Sequence, residues 1–214
     1  MKNCLCRKEK FTTFVPIMKP ALPPIILASK SPRRHELLKN VGLPFRVVVR
    51  EGLETYPDEL NGADIAAYLC NQKAEAFTDL NETHLIITAD TIVWQNDQIL
   101  GKPADRNDAL KILSKLSGKS HEVFTGVCLF YKGQKTVFTE RTEVIFNELS
   151  PERLEWYVDH FPVMDKAGAY GVQDWIGLAG VKAIHGDFYN VMGLPVNHLV
   201  RVLEERFVVS FETP

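Results

Sequence analysis

The sequence predicts an α/β fold built on a mixed β-sheet. Three observations carry this: short apolar runs alternate with helix-period segments. Serine-proline and glycine punctuation bounds the helices. Two hairpin patterns intrude where a purely parallel sheet would have crossovers. The chain has 214 residues, 45% hydrophobic and 24% charged, enough for one ordinary globular unit and far from a disordered composition.

Ile25–Ala28 is a continuous apolar run, the pattern of a buried strand. Ser31 then stands as an N-cap and Pro32 as a first helical residue, with Leu37, Leu38 and Val41 at helical spacing and Gly42 as a left-handed stop. Phe45–Val49 reads as a second strand. Asp64 to Phe77 reads as a helix whose Ile65, Tyr68, Leu69, Gln72 and Ala76 share a face. Leu85–Ala89 is a further buried strand, followed by a hairpin from Thr91–Trp94 to Ile99-Leu100 that turns at Asn96-Asp97. A helix from Asp105 to Leu116 turns Ala109, Ile112, Leu113 and Leu116 inward. Val123–Tyr131 and Thr136–Ile145 flank Lys132-Gly133 as a long hairpin. Ser150-Pro151 opens another helix, Val181–Ile184 is a strand, and Pro195 to Phe207 is the last helix.

Residues 1–20 read as a flexible extension and residues 21–214 as a single domain. Thr12, Thr13 and Pro16 interrupt the apolar run near the N-terminus and no small-residue cleavage site follows, which disfavours a secretory signal; Met18 is an alternative start. The formal net charge of −2 lacks the basic excess of a nucleic-acid or membrane-surface binder. Phe188 to Val200, the longest stretch free of Asp, Glu, Lys and Arg, is too short for a bilayer. Cys4, Cys6, Cys70 and Cys128 show no zinc-knuckle spacing and suit a reducing, cytoplasmic setting. The histidines lack metal-ligand spacing, and P-loop, dinucleotide-binding and nucleophile-elbow motifs are absent.

Four segments carry chemistry. Ser29-Lys30-Ser31-Pro32-Arg33-Arg34 sets two guanidinium forks and serine hydroxyls at a helix N-terminus, which favours phosphate. Arginines there oppose the helix dipole at about 0.3–1 kcal/mol each, so the doubled cation calls for an anion. Ala89-Asp90-Thr91 follows a buried strand, where a carboxylate faces a crevice as a general base or a metal ligand. Gly101-Lys102-Pro103 holds a lysine on a rigid bend. Asp165 to Gln173 combines small residues with an amide able to pair with N3–H and O4 of uracil or thymine.

Together LASKSPRRHELLKNVG, ITADTIVW, LGKP, LSGKSHEVFTGV, DKAGAYGVQ and NVMGLP resemble the motifs of the Maf family of nucleotide pyrophosphatases, in that family's order, from Ile25 to about Leu199. The resemblance implies a long curved mixed sheet flanked by helices, two lobes around a central cleft of inosine triphosphatase-like architecture, and a homodimer. It implies hydrolysis of a nucleoside triphosphate to the monophosphate and pyrophosphate with a divalent cation, Mg²⁺ or Mn²⁺. By motif match, Ser29, Arg33, Arg34, Lys73 and Lys102 are phosphate contacts, and Asp90 is the general base and a metal ligand. Glu54 is a looser match, as a second acidic metal ligand beside Asp90. Arg33, Thr91 and Gln173 match the specificity positions, and Thr91 with Gln173 sides with the dTTP/UTP branch, modified pyrimidine nucleotides included. The alternatives are a 7-methyl-GTP pyrophosphatase, whose branch carries Asp-Gln and an acidic residue there, and a nucleotide-binding division regulator without turnover.

Overall fold

The computed structural model describes residues 19–52 and 55–213. Strand β1 (Ile25–Leu27) leads into helix α1 (Pro32–Asn40), strand β2 (Phe45–Val47) and helix α2 (Gly62–Glu75). Strands β3 (Leu85–Gln95) and β4 (Gln98–Leu100) form a hairpin, followed by helix α3 (Arg106–Leu116). The long strands β5 (Ser120–Tyr131) and β6 (Gln134–Phe146) precede helix α4 (Pro151–His160), a 3₁₀ turn at Ala167–Ala169 and helix α5 (Trp175–Ala179). Strand β7 (Val181–His185) and helices α6 (Phe188–Met192) and α7 (Val196–Arg206) complete the order. Among the described residues the sheet has seven strands, in the order β2-β1-β3-β5-β6-β7 with β4 also on β3. Pairs β1–β2 and β1–β3 are parallel and the others antiparallel, so the sheet is mixed.

Local chemistry accounts for the punctuation. Asn96 and Asp97 both take positive φ, the requirement of a two-residue hairpin that follows strand twist. Lys132 and Gly133 do the same between β5 and β6. Asp105 caps α3 by accepting the Asp108 amide at 2.8 Å. Ser31 and Ser150 stand at N-cap positions before proline, yet neither side chain makes the capping bond.

Two expectations need correction. The strand expected to end at Ala89 runs on without a break to Gln95, so Asp90 is mid-strand and not at a strand end. The cause is β5, which pairs with β3 continuously from Ile86 to Trp94. On α2 the inward face is Ile65, Ala66, Leu69, Cys70 and Ala74, whereas Tyr68 is 37% exposed. Small Ala66 and Cys70 are what α2 lays against the sheet, because there the backbones approach closely. At Gly126 of β5 an added Cβ would meet the Ala66 carbonyl oxygen at 2.2 Å.

The main core divides in two along β3. Leu85, Ile87 and Ala89 pack with α1 and α7, while Val93 packs with α3, α4 and the 3₁₀ turn. These residues share one face at period two, and Thr91 is the polar residue between the two apolar bodies. Asp90 points to the other face, toward α2. Cys70 and Cys128 are buried free thiols there, and burial pushes both pKa values up, that of Cys128 to about 11. Among the described residues, no helix is long and apolar enough to cross a membrane.

Candidate active site

The site begins as a defect in sheet pairing. One edge of β3 is covered by β5. The opposite edge pairs with β1 only as far as Ile87 and with β4 only from Val93. Thr88 to Ile92 therefore have an open edge, and side chains from both faces reach one cleft around it. An open edge leaves backbone groups to be satisfied. Arg34 does this: its Nη1 donates to the Ala89 carbonyl at 2.8 Å, Nε to the Gly193 carbonyl at 2.7 Å and Nη2 to Thr91 Oγ1 at 3.0 Å. The Thr91 hydroxyl also lies 2.9 Å from Thr125 Oγ1. Arg34 thus ties α1, β3 and the end of α6 together.

On the other face Lys73, in the last turn of α2, donates to Asp90 Oδ2 at 3.0 Å, and the Thr91 amide donates to Oδ1 at 3.2 Å. The Asp90 side chain is 15% exposed, enough to reach solvent from the cleft. Arg33 Nη1 donates to Asp165 Oδ2 at 2.8 Å. Burial pushes the Asp165 carboxyl up, but hydrogen bonds from Arg33 and Lys166 outweigh it and hold its pKa below the ordinary carboxylate value.

Two adjoining cavities meet here. One is floored by Asp90 and Thr91 and reaches Tyr170, Gln173 and Gly193; the other runs from Ser29 past Arg50 to Gly52. The wall they share is Ser31, Arg33, Arg34, Lys73, Lys102 and Asp165. Arg33, Arg34, Lys73 and Lys102 thus share one wall with Asp165, in a chain of net charge −2.

The Maf-like protein family matches residues 24–206 of this sequence. The chain belongs to the Maf family. It is 49% identical over 183 residues to a dTTP/UTP pyrophosphatase of Bacteroides thetaiotaomicron, covering 85% of this chain and 95% of that one. It is 46% identical over 172 residues to a dTTP/UTP pyrophosphatase of Flavobacterium psychrophilum, covering 80% and 88%. Among solved structures, the Ham1 protein of Staphylococcus aureus shares the fold with a TM-score of 0.52 at 15% identity, over 85% of this chain and 98% of that one.

The positions matched to Maf motifs come together. Arg33, Arg34, Lys73, Asp90, Thr91, Lys102 and Gln173 line one cavity, and Ser29 lines its neighbour. Ser29 is 6% exposed, with its Oγ accepting the Ser31 amide at 3.2 Å and facing Arg34 Nη1 at 3.4 Å. Glu54 lies outside the described residues. The inference from doubled arginines to an external anion needs amendment: Arg33 already faces Asp165, and Arg34 faces carbonyl oxygens. Sequence reasoning assigned no role to Asp165, Lys166, Asp174 or the Gly193 carbonyl. Lys166, only 4% exposed, carried the one available signal, a lysine among small apolar residues.

Proposed function

We propose that this Maf protein is a nucleoside triphosphate pyrophosphatase that hydrolyses dTTP and UTP to the monophosphate and pyrophosphate. The observation that carries the reading is the Asp90–Lys73 pair at the open edge of β3, beside a wall of four cations. The names of the relatives and the neutral Gln173 amide support the pyrimidine assignment.

The triphosphate lies along the wall of Arg33, Arg34, Lys73 and Lys102, with the base toward Gln173. Asp90 accepts a proton from water as its oxygen bonds to the α-phosphorus. The bond from that phosphorus to the α,β-bridging oxygen breaks, and the electron pair leaves with pyrophosphate. As substrate enters, Arg33 exchanges Asp165 for phosphate oxygens, and the cations of that wall stabilise the growing charge of the leaving group. Lys73, against Asp90, keeps the carboxylate turned into the cleft.

Among the described residues, no three His, Cys, Asp or Glu side chains gather into a metal site. Mg²⁺ is commonly held by one or two carboxylates plus substrate phosphates, and the Asp90 carboxylate in the cleft fits that donor set. Asp90, with the phosphate oxygens, would hold a Mg²⁺ or Mn²⁺ ion, which polarises the phosphoryl group when bound.

The test is pyrophosphate release from dTTP and UTP, with and without chelator, for wild type and Asp90→Asn. Wild type is expected to form one pyrophosphate per monophosphate, and Asp90→Asn to lose about 10²–10⁴-fold in kcat with its fold intact. Undiminished turnover in Asp90→Asn overturns the assignment of the base. The resemblance also implies a homodimer; sedimentation at the monomer mass would contradict it.

A further inference from the structure

Next to Gln173 stands Asp174, a side chain with well-defined partners and no role in the reading above. It precedes α5 in the N-cap position, yet makes no capping bond. Its oxygens are engaged elsewhere. Oδ2 accepts the Tyr157 hydroxyl at 3.2 Å and stands 3.7 Å from the Lys166 ammonium. Oδ1 accepts Gln173 Nε2 at 3.2 Å. The Tyr157 oxygen itself accepts the Gly171 amide at 3.1 Å, and burial pushes the phenol pKa up, so the hydroxyl keeps its proton and donates to Asp174. Lys166 is buried and also bonded to the Pro162 carbonyl and to Asp165. Gly171 makes room for the arrangement: a Cβ there would come within 2.5 Å of Asp174 Oδ2 and 2.7 Å of Gln173 Nε2.

A carboxylate offers only acceptors. The Gln173 amide has two ends of nearly equal shape, one an acceptor and the other a donor. Turned end over end, it would set its oxygen against the Asp174 oxygen and lose the hydrogen bond. Although the Gln173 side chain is exposed at the cavity wall, Asp174 therefore favours one orientation of the amide, and with it one order of acceptor and donor toward the cavity. That order is what separates the pyrimidines. Uracil and thymine carry an N3–H donor beside the O4 acceptor; cytosine carries a bare N3 acceptor beside an amino donor. An amide free to turn can pair with either ring.

We propose that Asp174 is a positioning residue for base specificity, locking the Gln173 amide in the orientation that accepts uridine and thymidine triphosphates and rejects cytidine triphosphates. This rests on the pyrophosphatase reading with Gln173 at the base.

The experiment measures kcat/KM for UTP and for CTP in wild type, Asp174→Asn and Asp174→Glu. An asparagine both donates and accepts, so the glutamine can turn; the UTP-to-CTP ratio is expected to fall about tenfold or more. Asp174→Glu, again acceptor-only, is expected to restore most of it. If Asp174→Asn does not fold, Asp174→Ser, which also donates and accepts, gives the same reading. An unchanged ratio, with both nucleotides losing in proportion, overturns the proposal and leaves the pyrophosphatase reading standing. Wild-type protein that releases no pyrophosphate from UTP overturns the pyrophosphatase reading and this proposal with it.

Discussion

Arg34→Lys separates two accounts of the second arginine. If Arg34 serves only as a positive charge for phosphate, lysine keeps the charge and stability is unmoved. The structure instead shows a fork holding three elements, through the Gly193 carbonyl at 2.7 Å, the Ala89 carbonyl at 2.8 Å and Thr91 Oγ1 at 3.0 Å. A lysine ammonium is a compact point donor that reaches one of these. Two acceptors at the open strand edge then lose a charge-assisted partner. Hydrogen bonds to charged groups contribute about 1.5–3 kcal/mol each, and the half-buried setting favours the lower figure, for a total of about 3 kcal/mol. In urea, with m of about 2 kcal/mol per M for a small domain, the midpoint should fall by about 1.5 M. Turnover of dTTP should fall as well, because Thr91 and the Gly193 loop lose their tie. A variant with the wild-type midpoint refutes the structural role and returns Arg34 to a purely electrostatic one.

Gly126→Ala should cost about 3 kcal/mol or more, since the new Cβ would stand 2.2 Å from the Ala66 carbonyl oxygen and α2 must shift. Lys73 moves with α2, so activity is expected to fall beyond what instability explains; a thermal melt near wild type would contradict the packing argument. His121 is buried against Tyr170 and desolvation lowers its pKa from 6.5 to about 4, so the folded protein keeps it neutral while the unfolded chain protonates it. Its contribution is therefore fully present above pH 6.5 and lost progressively as pH falls toward 4, by about 3 kcal/mol in all. His121→Phe should flatten stability over that window in urea titrations at several pH values, and an unchanged slope would contradict the reading. Asp165→Asn removes the negative charge facing Arg33 and leaves an amide oxygen for the buried Lys166, so stability should change by less than about 1 kcal/mol. KM for dTTP should drop about fivefold because substrate no longer competes with a carboxylate for Arg33; a raised KM would mean that Asp165 holds Arg33 in its binding pose.

Elements governed by local chemistry were legible in the sequence. The helix read over Asp105–Leu116 and its four inward residues follow from period alone, as the turns at Asn96-Asp97 and Lys132-Gly133 follow from local turn chemistry; that Asp105 caps the helix and does not begin it emerged from the structure. What was not legible depends on neighbours distant in sequence. Nothing in Ala89-Asp90-Thr91 says that the strand continues, because that continuity comes from β5, about 35 residues later. The short helices Trp175–Ala179 and Phe188–Met192 are held by tertiary contacts and carry too few turns for a periodic signal. In the site, residue types and motif matches gave Arg33, Lys73, Asp90 and Lys102. The partner choices, Arg33 with Asp165 and Arg34 with backbone oxygens, could not be read, because backbone acceptors have no sequence signature. Asp174 was hidden for a related reason: its role is to orient a neighbour.

The central claim is that water bound by Asp90 attacks the α-phosphorus of a pyrimidine triphosphate. Hydrolysis of dTTP in ¹⁸O-enriched water, with mass spectrometry of both products, tests it directly. The label should appear in thymidine monophosphate and be absent from pyrophosphate, with the labelled product strongly reduced in Asp90→Asn. Label in the pyrophosphate would place the attack on the β-phosphorus and contradict the geometry assigned to this cleft.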